Sequence, residues 1–288
     1  MSLNWTTVLG GSGRPRYLIC GAELVDNRGF ESNIYGWIGV PSASVSRVED
    51  SETYYGDYSL KLIDTGTQGT YARYAISYGS SLLGKSFALS FYARSATGSC
   101  NISARLSAAD EDLDLQTKVV SGTQVHFLGI FNFTTSTQEA FDIKIYATDG
   151  SSYANTIYID NVSCREVTYD LYDEFPYHPN TMQPTWELSE MSSDRLIDGS
   201  LKEYDRGWEL SLSIQYDYLD ATTEYYRRLL SEASFVWVQP HYDYAFWIAM
   251  KWDRIWEQRY FGNVYAGHVG PMIFRSIYLL ENKPLDVS

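Results

Sequence analysis

The sequence is poor in cysteine, with three residues in 288: Cys20, Cys100 and Cys164. No CxxC pair and no Cys/His cluster occurs, so a zinc site is not expected. Thiols of cytoplasmic proteins stay reduced, which favours three buried thiols. A Cys20–Cys164 disulfide stays open as the alternative, because these two residues flank the first and last predicted strands of the N-terminal half.

Positive charge is also scarce. Lys and Arg total 22 against 36 Asp and Glu, which gives a formal net charge of −14. Binding to nucleic acid or to an anionic membrane needs a basic surface, so neither partner is expected. No apolar run reaches the roughly 20 residues that span a bilayer, which predicts no membrane insertion. The polar start lacks the order of a signal peptide, so we expect synthesis in a cytoplasm.

Catalytic motifs are missing as well. The sequence contains no GxSxG, HExxH, P-loop or Rossmann pattern, and its four histidines are scattered. The acidic run Asp110–Asp114 could suggest a pair of glycosidase carboxylates. A solvated loop or a weak cation site explains this run more simply. We therefore expect a protein that is not an enzyme.

Aromatic residues are abundant, at 16% of the chain, and 25 of them are tyrosines. Tyrosine suits half-buried β surfaces and also surfaces that stack against sugars. In the segment Ser86–Ser95, Phe87, Leu89 and Phe91 alternate with smaller or polar residues, as in a strand with one buried face. Similar segments recur between turn residues up to about residue 167. This spacing predicts an antiparallel jelly-roll β-sandwich.

The chain divides by composition into four parts. Residues 1–16 are Gly-rich without periodicity and predict a flexible arm, and 17–167 form the predicted β-sandwich. Residues 168–184 contain prolines and predict a linker or an entry strand. Residues 185–288 combine longer strands with one helix near Asp220–Ala233, which predicts a smaller α+β domain. The fold class is therefore mostly β.

Three short motifs of the N-terminal half occur in a recognisable order. The first comprises Asn27, Gly29, Phe30, Glu31, Gly36 and Trp37, the second is YSLKL at Tyr58–Leu62, and the third is YIDNVS at Tyr158–Ser163. Together they resemble carbohydrate-binding modules of family 4/9. The resemblance implies a jelly roll and a structural Ca²⁺ held by Glu31 and Asp160. The alternative is that Glu31 caps a turn and Asp160 lies in a polar network.

The resemblance also implies a glycan-binding strand face. Aromatic rings and planar polar groups on the strand faces opposite the predicted core are the candidates: Tyr92, Arg94, Arg105, His126, Lys144 and Tyr146. Tyr71 and Tyr74 are secondary candidates, whereas Trp37 is expected in the core. The alternative is that this face packs against a neighbouring subunit.

Residues from about 185 to 280 resemble, in the order and spacing of their elements, a domain of tailed-phage structural proteins. The resemblance implies a virion component in the tail or baseplate, with other virion proteins and copies of itself as partners. On this hypothesis the C-terminal domain docks into the particle and the β-sandwich is exposed to host-cell glycan. The alternative is a carbohydrate-binding module of a polysaccharide-degrading system.

Overall fold

The computed structural model describes residues 14–41, 43–50, 53, 56–63, 70–96, 98–115, 117–148, 156–175, 179–188, 192–195, 201–204, 208–216, 221–240, 248–252 and 272–276. The predicted arm therefore lies mostly outside the described residues. The chain forms two compact units. One unit, the sandwich unit, comprises Gly21–Val167. The other, the C-terminal unit, comprises Met1–Cys20 and Thr168–Ser288.

Twelve strands belong wholly or partly to the sandwich unit. They are β1 (Arg16–Glu23), β2 (Trp37–Val40), β3 (Ser44–Glu49), β4 (Tyr58–Ile63), β5 (Tyr71–Ser77), β6 (Ser86–Ser95), β7 (Cys100–Ser107), β8 (Asp112–Asp114), β9 (Lys118–Val120), β10 (Val125–Asn132), β11 (Ala140–Thr148) and β12 (Thr156–Leu171). The boundary between the two units falls within β1 and β12.

These strands form two antiparallel sheets. In the first, β6 lies between β10 and β12, β4 pairs with β12, and β3 pairs with β4. The second sheet has the order β2-β5-β11-β7-β8, with β9 also pairing with β7. Every pairing among these strands is antiparallel, as the short, evenly spaced segments predict.

The core of the sandwich unit lies between these sheets. Phe87 of the first sheet and Phe141 of the second approach with ring centroids 4.8 Å apart, and Phe91 stacks on Phe127 at 4.5 Å. The predicted core face of β6 is confirmed, since Phe87, Leu89 and Phe91 are all completely buried, whereas Ala88 and Ser90, predicted to lie opposite the core, are buried as well. Each sheet thus presents one face to the core and the other outward.

Seven further strands and one helix belong to the C-terminal unit. They are β13 (Thr181–Leu188), β14 (Ser192–Arg195), β15 (Leu201–Tyr204), β16 (Trp208–Gln215), α1 (Ala221–Glu232), β17 (Val236–Gln239), β18 (Ile248–Trp252) and β19 (Met272–Ser276). The strands β17, β18, β19, β16 and β13 are adjacent in that order. This unit has a core of its own, in which Tyr17 packs against Phe175 and Phe274.

The predicted fold class is confirmed: the described chain is mostly β, and α1 is the single helix among the described residues. All three cysteines are described, each is a buried thiol, and none forms a disulfide. The alternative of a Cys20–Cys164 bond is therefore wrong, and the two residues belong to different units. Within the described segments, no helix has the length and apolar character needed to cross a membrane.

Candidate functional site

The outer surface of the six-stranded sheet, named here the front face, carries two rows of side chains from adjacent strands. Strand pairing places Tyr71 of β5 directly opposite Tyr146 of β11. Two residues along, Lys144 of β11 lies between Arg73 of β5 and Arg105 of β7. Directly opposite residues on one sheet face are within contact distance. The front face therefore presents a tyrosine pair beside a row of three cations.

The two tyrosines form the apolar part of the front face. Their ring centroids are 4.9 Å apart at an interplanar angle of 47°. Both side chains are partly exposed, and burial raises the pKa of the Tyr146 hydroxyl. Aromatic rings held in this way offer a π surface to the C–H groups of a sugar, and their hydroxyls remain able to form hydrogen bonds.

The two arginines of the row are oriented by carboxylates. Arg73 Nε lies 2.8 Å from Asp142 Oδ2. Arg105 donates to both oxygens of Asp114, at 2.5 and 3.2 Å, and to Asp112 at 3.0 Å. The hydrogen bond to Asp114 is the largest contribution that raises the pKa of Arg105. The bidentate contact with Asp114 fixes the guanidinium plane of Arg105, whereas Arg73 is held by one contact to its carboxylate.

Lys144 differs from its two neighbours. Its ammonium donates a hydrogen bond to Ser107 Oγ at 2.7 Å, and the Ser107 hydroxyl in turn donates to Asp112. The same ammonium lies 5.6 Å from the centre of the Tyr71 ring. Among the described residues Lys144 forms no ion pair. It is therefore a cation supported by a hydroxyl and an aromatic ring.

The outer surface of the other sheet, named here the rear face, carries Tyr92, Arg94 and His126. Tyr92 stacks on His126, with centroids 4.6 Å apart. Burial lowers the pKa of His126 to about 3, so its ring is neutral near pH 7. Arg94 forms an ion pair with the buried Asp50 and lies 4.2 Å from the centre of the Tyr158 ring. Tyr92 and His126 therefore contact each other, and Arg94 is engaged with Asp50 and Tyr158.

The six predicted glycan-binding residues are therefore not brought together. Arg105, Lys144 and Tyr146 lie on the front face, joined by the secondary candidate Tyr71, whereas Tyr92, Arg94 and His126 lie on the rear face. The other secondary candidate, Tyr74, belongs to the core: it packs against Trp37 at 5.2 Å, and its hydroxyl accepts the Asp26 amide N–H. Trp37 is 3% exposed, which confirms its expected core position.

Sequence reasoning missed several front-face residues. Arg73 shares the alternation of β5 with Tyr71 and could have been found from that signal. Asp142, Asp112 and Asp114 matter through their pairing with the arginines, and this pairing depends on strand register, which alternation does not specify. The acidic run around residue 110, expected to be a solvated loop or a weak cation site, thus includes partners of Arg105.

The predicted calcium ligands each have protein partners. The Glu31 carboxylate accepts the backbone N–H groups of Asp57 and Tyr58 at 3.2 Å. Arg47 donates to the carbonyl of Phe30 at 2.7 Å and to that of Glu31. Asp160 is completely buried and accepts the Asn161 N–H at 2.6 Å.

Two further observations bear on whether these residues fit a calcium ion. The buried Asn161 Oδ1 has no hydrogen-bond partner in the structure, and a cation would satisfy this oxygen. No group of three or more acidic, His or Cys ligands lies close together among the described residues. Calcium at Glu31 and Asp160 stays a prediction, which melting curves with and without EGTA would test.

Comparison with known families adds evidence on the sandwich unit. Residues 22–152 match the family model CBM_4_9, a carbohydrate binding domain. This match covers the strands that build the front face. No curated protein sequence is similar enough to the chain to match it.

Solved structures with a similar arrangement include two bacterial modules. The CBM22-1 xylan-binding domain of Paenibacillus barcinonensis Xyn10C is 14% identical, with a TM-score of 0.45 over 52% of this chain and 98% of that one. The C-terminal family 22 module of Clostridium thermocellum Xyn10B is 17% identical, with a TM-score of 0.42 over 50% and 98%. Tailspike protein 4 of bacteriophage CBA120 is 19% identical, with a TM-score of 0.39 over 50% of this chain and 21% of that one.

Proposed function

We propose that the sandwich unit is a carbohydrate-binding module and that its front face binds the glycan. The observation that carries this proposal is the family match over residues 22–152. The arrangement of the front face supports it, because a tyrosine pair lies beside two arginines that are each paired with a carboxylate. Stacking surfaces combined with oriented donors are what sugar rings and their hydroxyls require.

We place the glycan on the front face rather than on the rear face because of the contacts that the side chains of each face already make within the protein. On the rear face, the ring of His126 is covered by Tyr92, and Arg94 is committed to the buried Asp50. Side chains on both faces are partly exposed, but on the front face Tyr71, Lys144 and Tyr146 form no ion pair within the described residues. A ligand can reach these groups without breaking a buried ion pair, which would be costly.

A glycan array probed with the full chain tests the proposal. Tyr146→Ala removes a stacking ring, and we expect it to weaken binding to the glycans retained by the wild type by about tenfold or more, or roughly 1.4 kcal/mol. Tyr71→Ala should act in the same direction. Titration calorimetry with the best array ligand measures both effects.

Tyr92→Ala is the matched variant on the rear face, and we expect it to leave glycan affinity unchanged. The opposite pattern, with loss of binding in Tyr92→Ala and not in Tyr146→Ala, would move the site to the rear face. An array without any retained glycan would refute the proposed function itself.

The predicted role in a phage tail or baseplate has no comparable support and stays a prediction. The tailspike similarity covers half of this chain at a TM-score of 0.39, and about half of the predicted docking domain lies outside the described residues. The alternative of a module within a polysaccharide-degrading system agrees better with the family match. Particle imaging and size-exclusion chromatography separate these two settings.

A further inference from the structure

The front face carries a row of three cations, although the chain as a whole has a net charge of −14. Arg73, Lys144 and Arg105 occupy directly opposite positions on three neighbouring strands. Like charges at such positions destabilise a sheet. The three carboxylates paired with the two arginines offset this repulsion, so the row and its partners together carry no net charge.

The charges in this row are balanced unevenly. Arg73 is paired with Asp142, and Arg105 is paired with Asp112 and Asp114. Lys144, in the middle, has the Ser107 hydroxyl as its hydrogen-bond partner and forms no ion pair within the described part of the chain. The centre of the row therefore keeps a positive charge without a carboxylate in direct contact.

The position of this charge beside the tyrosines indicates a ligand. Tyr71 and Tyr146 lie two residues from Arg73 and Lys144 on the same face, a separation of about 7 Å along a strand. A sugar ring stacked on these tyrosines would direct its substituents towards the cation row. A carboxylate on that sugar would then meet Lys144 and the arginines, in a charge-assisted contact.

We propose that the front face prefers an acidic glycan, one that carries a sugar carboxylate such as a uronate, and that Lys144 recognises this carboxylate. This inference rests on the proposed function. It adds the substrate class: the tyrosines supply affinity for the ring, and Lys144 supplies the preference for negative charge.

The experiment uses the full chain on an array that pairs neutral oligosaccharides with uronate-bearing oligosaccharides of the same linkage. We expect the uronate-bearing members to be bound more tightly than their neutral counterparts. Lys144→Met keeps the length of the side chain and removes its charge. It should weaken binding to the uronate-bearing glycans about tenfold more than it weakens binding to their neutral counterparts.

Lys61→Met is the matched control, because Lys61 lies in β4 of the other sheet and the substitution makes the same change in net charge. It should leave the preference unchanged. If both variants lower the preference equally, the effect comes from total charge and the inference is wrong. Melting curves of both variants show whether they are folded.

A second measurement is the dependence on salt. Added NaCl should weaken binding of the uronate-bearing glycans more in the wild type than in Lys144→Met, because exposed charges are screened. A chain that binds neutral glycans best, with no effect of Lys144→Met, would overturn the inference and leave the proposed function intact. A chain that binds no glycan would overturn both.

Discussion

Glu111 shows at the scale of single residues how this acidic chain uses its carboxylates. Its side chain accepts the backbone N–H groups of Thr134, Thr135 and Ser136, and also the Thr134 hydroxyl. These hydrogen bonds, led by that of the Thr134 amide, lower the pKa of Glu111 to about 2. The contact joins two loops more than 20 residues apart in the sequence.

The sequence indicated only a solvated acidic loop or a weak cation site at this position. Backbone amides carry no sequence signal, and their partner carboxylate lies 23 to 25 residues away. A carboxylate that caps a distant loop therefore cannot be distinguished by composition from one that faces water. The same holds for Glu31, whose amide partners are 26 and 27 residues away.

Glu111→Gln tests this loop contact. We expect a melting temperature lower by a few degrees at neutral pH, because the amide offers a single neutral acceptor in place of two charged oxygens. A depressed pKa stabilises the fold above the unfolded-state value near 4.5, and this contribution is lost as the pH falls towards 2. The variant should therefore lose less stability than the wild type between pH 5 and pH 2, as measured by melting curves.

Glu139→Gln, at an exposed glutamate, is the control. A parallel pH dependence in Glu111→Gln and the wild type would contradict the explanation.

At the scale of strands and turns, the alternation of apolar and polar residues indicates which side chains of a strand face the core, but it does not indicate which sheet the strand joins. It matched the burial pattern of β7 up to Leu106, but in β6 Ala88 and Ser90, predicted to lie opposite the core, are buried as well. It could not say which sheet each strand joins, because that depends on pairing between segments distant in sequence. Tyr92 and Tyr146 were therefore both correctly predicted to point outward, and yet they lie on opposite faces of the sandwich.

The turn before β4 offers a test at this scale. Gly56 has a φ of +75°, and a Cβ there would lie 2.2 Å from Glu31 Oε1. Gly79 has a similar φ of +80°, with nothing within 4 Å of its Cβ position. Alanine at either site costs roughly 1–2 kcal/mol for the left-handed backbone. Only Gly56→Ala should also displace the Glu31 carboxylate from the amides of Asp57 and Tyr58.

We therefore expect Gly56→Ala to lower the free energy of unfolding by about 1 kcal/mol more than Gly79→Ala does, this being the typical net contribution of a hydrogen bond. Urea denaturation of the full chain followed by circular dichroism measures the difference. Equal losses in the two variants would mean that the Glu31 cap adds nothing beyond the backbone conformation of the turn.

At the scale of the whole molecule, the mostly-β class follows from physical regularities that a sequence displays directly. Short alternating segments between turn residues indicated the sandwich, and one amphipathic segment indicated the helix now placed at Ala221–Glu232. The site was less accessible, because it is defined by neighbours across strands. All the front-face residues belong to the sandwich unit, although the chain also has a separate core in the C-terminal unit.

This separation leads to a prediction about glycan binding and stability. Phe274 is completely buried in the C-terminal core, beside Trp252, and Phe91 is completely buried in the sandwich core, stacked on Phe127. Substitution of either by alanine should lower the free energy of unfolding of its own unit by about 3–5 kcal/mol.

Because the front face is built from Gly21–Val167 alone, Phe91→Ala should lose glycan binding at a lower temperature than the wild type. Phe274→Ala should keep the wild-type affinity for the same glycan. Titrations over a range of temperatures, with circular dichroism of each sample, measure both effects. Equal loss of binding in the two variants would show that the site depends on the C-terminal unit as well.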